Sequence, residues 1–201
     1  MPDTHIRLYR DILWLVLDKQ PLNPLTVGML GQLTAGLRKA KQERPRLVVV
    51  TSMGEQAFCA GVELEEDVES QRVKLLRAAQ EVDEAFNVLL QQKIATVALV
   101  KGKAFGAGCE LVTFCETVIA RDDATFRLPT MNEKIFPSTL SVYLPKLVGQ
   151  ETATRLVQSG ETLTALQAQR LGLAHQVIPG KSFLSDSEEL LVMLASIGPE
   201  M

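Results

Sequence analysis

Two short runs constrain this chain most. Arg46 to Thr51 contains Leu-Val-Val-Val, and Ile94 to Val100 is Val-rich and uncharged. Neither leaves a polar face for water, so each reads as a buried strand. Ile12 to Leu17 is a third apolar run of β-formers, closed by the turn sequence Asp18-Lys19-Gln20-Pro21. Between them the period changes. Leu25, Met29, Leu30, Leu33 and Leu37 recur at helical spacing over Leu25 to Lys41, against the weakening effect of Gly28, Gly31 and Gly36. After a loop from Ser52 to Gly61, a long helix sets Leu75, Ala79, Val82, Phe86 and Leu89 on one face. Arg72, Lys74, Glu81 and Asp83 fall on the other. A glycine-rich turn, Gly102 to Gly108, opens a helix from Cys109 to about Glu116. Short strands are predicted at Val118 to Ala120, Ala124 to Leu128 and Ala174 to Ile178. Helices are predicted over most of Ser141 to Arg170 and over Ser187 to Ala195. Strands alternating with helices give an α/β layered fold.

Composition narrows the function classes. A chain of 201 residues that is 46% apolar can bury one core without a metal or disulfide staple. The formal charge is −3, and no basic stripe interleaved with aromatics is present, which argues against nucleic acid. Three cysteines, Cys59, Cys109 and Cys115, lack paired spacing and read as small apolar fillers. Two histidines, His5 and His175, give a zinc site few ligands, so no metal is expected, and His175 reads as structural. No leader pattern or membrane-length apolar run is seen, so the expected location is the cytoplasm.

Two loops stand out, each between a buried strand and a helix: Phe58-Cys59-Ala60-Gly61-Val62-Glu63-Leu64 and Gly102-Lys103-Ala104-Phe105-Gly106-Ala107-Gly108-Cys109-Glu110. Small residues let backbone approach a ligand closely, and a helix start offers unpaired N–H groups. Two such loops converging on one carbonyl oxygen would form an oxyanion hole, with Glu110 one helical step on for acid/base work. The same residues also fit plainer roles, a tight turn and a carboxylate at a helix start. The second loop lacks the lysine-plus-hydroxyl ending of a phosphate loop.

Together, in this order and spacing, Ala57 to Leu64 and Val100 to Leu111 closely resemble the two signature loops of the crotonase (enoyl-CoA hydratase/isomerase) superfamily. The resemblance runs from Leu13 through Pro179. It includes Pro21-Leu22-Asn23 and the closing segment from Ala168 to Ala174. It implies a crotonase-like spiral of ββα units, with a core over residues 1–180 and a short helical tail over 181–201. It implies a coenzyme A thioester as substrate, no permanently bound cofactor, and a homo-oligomer that is a trimer or hexamer. Glu110 matches the family's first catalytic glutamate. Val62 and Ala107 match the two oxyanion-hole donors, and Leu22, Ala60, Gly61, Leu64, Gly106 and Thr130 match positions that line the substrate.

The chain departs from that pattern twice. Where the family's hydratases carry a second glutamate after a proline, Arg127-Leu128-Pro129-Thr130 places Thr130. Its hydroxyl does not ionise near neutral pH and cannot replace a carboxylate in proton transfer. Glu133, three residues on, is the other carboxylate near that position. Family members also continue with helices that cover the acyl pocket, whereas this sequence stops at Met201, which gives a shortened helical C-terminal region. The reading is a one-glutamate enzyme that stabilises a thioester enolate. The alternative is a degenerate acyl-CoA-binding paralogue or a structural partner of a full-length homologue.

Overall fold

A computed structural model of the chain describes residues 3–63, 68–129, 135–136 and 139–197. Strand β1 (Thr4–Tyr9) turns back through Arg10 and Asp11 into β2 (Ile12–Leu17), and helix α1 (Val27–Glu43) follows. Then come β3 (Leu47–Ser52), β4 (Ala57–Cys59), α2 (Val68–Gln91), β5 (Ala95–Val100), β6 (Lys103–Phe105), α3 (Ala107–Thr113), β7 (Thr117–Arg121) and β8 (Thr125–Arg127). The C-terminal part holds a π-helical turn (Thr139–Tyr143), α4 (Leu144–Val148), α5 (Gln150–Ser159), β9 (Leu163–Thr164), α6 (Ala165–Leu171), β10 (Gln176–Ile178) and α7 (Phe183–Ile197).

The order strand, strand, helix repeats in β3-β4-α2 and β5-β6-α3, and β7-β8 begins it again. The first strand of each pair joins a six-stranded sheet, ordered β1-β2-β3-β5-β7-β10. The second joins a four-stranded sheet, ordered β4-β6-β8-β9. In the large sheet only β1 runs antiparallel to its neighbour. The uncharged runs are its central strands. Val48 and Val50 face α1 and α2, while Leu47 and Val49 face α7, so both sides are covered.

The helices form for local reasons that agree with the packing. Thr26 caps α1, its hydroxyl oxygen accepting from the Met29 N–H at 3.1 Å, and Arg44 ends the helix in the left-handed region. Met29, Leu30, Leu33 and Leu37 are buried on its inner face, as their spacing predicts. In α2 the same holds for Leu75, Ala79, Val82, Phe86 and Leu89. α6 begins with a capping box between Thr164 and Gln167.

Four expectations need correction. β1 went unforeseen because its side chains are mostly exposed on an edge. β4 and β6 lie inside segments read as loop and turn, and each has only three residues. Asp83, expected on the solvent face of α2, is 3% exposed and accepts from the Asn87 side chain at 3.1 Å. The helical reading of Ser141 to Arg170 also missed its π-helical start and the two-residue strand β9.

Candidate active site

β4 and β6 are parallel neighbours, with Ala57 opposite Lys103 and Cys59 opposite Ala104. The chain therefore leaves both strands in the same direction, and residues 60–63 and 106–107 emerge side by side. A Cβ atom on Gly106 would lie 3.7 Å from the Gly61 Cα, and one on Gly61 would lie 3.9 Å from the Phe105 carbonyl oxygen. Gly106 has φ 54° and ψ −124°, a conformation that side chains disfavour. Its N–H donates to the Arg127 carbonyl at 2.8 Å, which ties the turn to β8.

The first loop is aimed by a short parallel pairing with Leu25. The Leu25 N–H donates to the Gly61 carbonyl at 2.8 Å, and the Glu63 N–H donates to the Leu25 carbonyl at 3.0 Å. Peptide groups alternate sides along an extended chain, so the N–H of Val62 points away from Leu25. Ala107 is the first residue of α3, and its N–H precedes the first intrahelical bond, which runs from the Glu110 N–H to the Gly106 carbonyl at 3.0 Å. Among the described residues neither the Val62 nor the Ala107 N–H has a hydrogen-bond acceptor.

Asn23 braces this arrangement. It is fully buried, with φ 49°. Its side-chain NH2 donates to the carbonyls of Met53 and Ala57, both at 2.9 Å, and its Oδ1 accepts from the Lys19 N–H at 2.8 Å. One residue earlier, the Leu22 carbonyl accepts from the Ala60 N–H at 2.9 Å. The turn before α1 is thus fastened to both ends of the β3–β4 connection. That connection is held from outside by Glu55, which pairs with Lys101 at 2.9 Å and with Arg121.

Glu110 is fully buried in the first turn of α3, and its Oε2 accepts from the Ile135 N–H at 3.0 Å. The structure so brings together Leu22, Ala60, Gly61 and Val62 in one loop cluster, with Gly106, Ala107 and Glu110 in the adjoining one. Leu64, Thr130 and Glu133 lie outside the described residues. Sequence reasoning missed two contributors as site residues. Asn23 was signalled only by its place in the turn Pro21-Leu22-Asn23-Pro24, where Asn tolerates a left-handed backbone. Ile135 contributes a backbone N–H, which no side-chain pattern announces.

Other chemistries find little support here. Cys59 borders the first loop, but it is fully buried and desolvation pushes its thiol up to about 12, so it stays protonated near neutral pH. Burial raises Cys109 and Cys115 as well. His5 bonds to Asp18, and the His175 Nδ1 accepts from the Val118 N–H at 3.0 Å, so neither histidine is bonded to Glu110. No group of three metal-ligating side chains occurs among the described residues, and no helix among them is long and apolar enough to cross a membrane. A cavity of about 860 Å3 lies on the far side of the large sheet, against α7, lined by Trp14, Leu99, Phe183 and Leu191 among others. None of Val62, Ala107 or Glu110 lines it.

Paired strand ends, two outward N–H groups and one buried carboxylate define a crotonase-type framework. The sequence profile described as enoyl-CoA hydratase/isomerase matches residues 9–201, and the chain belongs to that family, the crotonase superfamily. It is 29% identical over 182 residues to the putative enoyl-CoA hydratase/isomerase YngF of Bacillus subtilis, covering 90% of this chain and 70% of that protein. It is 33% identical over 182 residues to the 2,3-dehydroadipyl-CoA hydratase of Escherichia coli, covering 88% and 69%. The crystal structure of an enoyl-CoA hydratase from Bacillus anthracis superposes with a TM-score of 0.84 at 27% identity, over 98% of this chain and 78% of that one. Across curated relatives of this kind the chain spans 58% to 70% of their length.

Proposed function

We propose that this protein acts on acyl-CoA thioesters, holding the thioester oxygen between the N–H groups of Val62 and Ala107 and using Glu110 as its one carboxylate base. The observation that carries the reading is the parallel pairing of β4 with β6, after which the two loops leave side by side. Donors fixed on strand ends and a helix start stabilise charge that develops on a carbonyl oxygen without having to reorganise. In this reading Glu110 removes a proton from the carbon next to the carbonyl. The electron pair moves onto the oxygen as an enolate, and Glu110 returns the proton to the same or a neighbouring carbon.

With Thr130 where the family's hydratases have a second glutamate, ordinary hydration of an enoyl-CoA lacks one of its two proton-transfer groups. That single observation also favours a second reading, in which the chain binds acyl-CoA without turning it over. Incubating the purified protein with a panel of enoyl- and acyl-CoA esters, with products followed by mass spectrometry, separates the two. Conversion of any member supports the first reading. Saturable binding across the panel without conversion supports the second, and no binding at all overturns both.

A further inference from the structure

Glu110 lies in the first turn of α3, and Phe114, four residues on, caps its end in the right-handed helical conformation, so their side chains lie along the same side. Consecutive residues of one later segment meet that side. The Ile135 N–H donates to the Glu110 carboxylate at 3.0 Å, and the Phe136 ring meets the Phe114 ring edge-on at 5.1 Å between centroids. Phe136 is fully buried. The Phe114 ring is itself fixed on two further sides. Phe86 of α2 stacks on it at 4.9 Å, and Tyr143 of the π-helical turn meets it at 4.5 Å.

Tyr143 is oriented in turn by α2. Its hydroxyl donates to the Asn87 Oδ1 at 2.8 Å, and the Asn87 side chain donates to Asp83 at 3.1 Å. A π-turn shifts the register of the side chains that follow it, and such turns are frequent at functional sites. The buried Asp83 and half-buried Asn87 have no part in the proposed chemistry, yet they hold the aromatic cluster that receives Phe136.

We infer that Phe136 is a positioning residue: by seating its ring against Phe114, beside Phe86 and Tyr143, it fixes the Ile135 N–H that orients the Glu110 carboxylate. The functional part of this inference rests on Glu110 being the base of the proposed reaction. The geometric part does not. A carboxylate with a free rotor samples many orientations, whereas one held by a fixed donor presents its second oxygen in one direction.

The test uses the full chain and four proteins: the native one, Phe136→Ala, Phe136→Leu and Glu110→Gln. The first readout is the Ile135 amide proton shift in NMR spectra, with no ligand present. An N–H bonded to a carboxylate resonates downfield, so the native shift moves upfield in Glu110→Gln and in Phe136→Ala, and only partly in Phe136→Leu. An Ile135 shift unchanged in the Phe136 variants overturns the inference. If Phe136→Ala does not fold, Phe136→Leu, which keeps most of the volume, carries the comparison.

The second readout is exchange of the α-protons of butyryl-CoA in D2O. Phe136→Ala is expected to lower kcat about tenfold while KM stays within about a factor of two, because misorientation of the base costs rate rather than binding. Equal damage to kcat and KM marks Phe136 as merely structural and overturns its positioning role. Absence of exchange in the native protein, with the NMR shifts behaving as expected, removes the enolising function and leaves the positioning of Glu110 standing.

Discussion

A Cβ atom at Gly108 would sit 2.1 Å from the Cys59 carbonyl oxygen. The first turn of α3 and the end of β4 therefore touch at a distance that only glycine permits. Gly108→Ala must push the two apart, because the obstructing atom is backbone. The expected cost is about 1–3 kcal/mol of stability, the usual range for overpacking. Gly31→Ala, on an open helical face with nothing within 4 Å, is expected to stabilise by about 0.5–1 kcal/mol. Urea unfolding midpoints of the two variants should shift in opposite directions, and a shared direction would mean that α3 does not approach β4 so closely.

Asn23 should tolerate no replacement that loses its NH2. Asn23→Ala leaves the Met53 carbonyl and the Lys19 N–H without this partner, and leaves the Ala57 carbonyl only the Ser52 hydroxyl at 3.2 Å. Buried groups left in that state cost about 1–3 kcal/mol each before relaxation, so a net loss of about 3 kcal/mol is expected. Asn23→Asp should be no better, since its carboxylate faces two carbonyl oxygens. Thermal unfolding of the pair checks this, and near-native stability of Asn23→Asp would contradict it.

Ala107 offers a clean deletion. Proline is tolerated at the first position of a helix, so Ala107→Pro removes one N–H and leaves α3 able to form. Turnover of whichever thioester the panel identifies is expected to fall about a hundredfold, the usual worth of one oxyanion donor. Glu110→Gln keeps the shape and removes the base, with an expected loss of about a hundredfold or more. Full activity in a folded Ala107→Pro would reassign the second donor, and full activity in Glu110→Gln would reassign the base.

Crotonyl-CoA hydration isolates Thr130. The native protein should hydrate it slowly, and Thr130→Glu should raise the rate by about a hundredfold, the lower end of what a positioned acid or base contributes. Two carboxylates near one site repel, one proton affinity rises, and an acid beside a base is what hydration needs. Rapid hydration by the native protein would show that another group delivers the second proton.

His175 sets a pH limit on stability. Desolvation holds its pKa below the ordinary 6.5, and its Nδ1 must be unprotonated to accept from Val118. As pH falls the unfolded chain takes up the proton first. The contribution is therefore intact above about 6.5 and is lost as pH drops through the folded value. Glu55 and Asp123, hydrogen-bonded by Arg121, are held below their ordinary values and begin to lose theirs only below 4.5 and 3.8 respectively. Urea midpoints between pH 7 and 5 should fall for the native protein and stay flatter for His175→Asn, whose Oδ1 can accept the same bond. An identical slope in both would acquit His175.

Much of the architecture was legible because it is written in periods. The boundaries of β2 coincide with the apolar run from Ile12 to Leu17, and the buried face of α2 coincides with its helical stripe. β4 and β6 were not legible, since three residues are too few to show a period. Asp83 was misread because its partner, Asn87, is itself gripped by Tyr143, 56 residues away. In the candidate site the two loops could be read from their small residues and order. The grip of Ile135 on Glu110 could not, because it spans 25 residues and uses a peptide group common to almost every residue.

The pairing of Leu25 with Val62 makes the length of the first loop a stricter requirement than its spelling. What faces outward at position 62 is a peptide N–H, so most side chains there leave the donor in place. Adding or removing one residue between Cys59 and Val62 reverses the parity of the extended segment and turns that N–H toward Leu25. Drift in letters should thus be tolerated at this edge of the site, while a single-codon insertion should silence it.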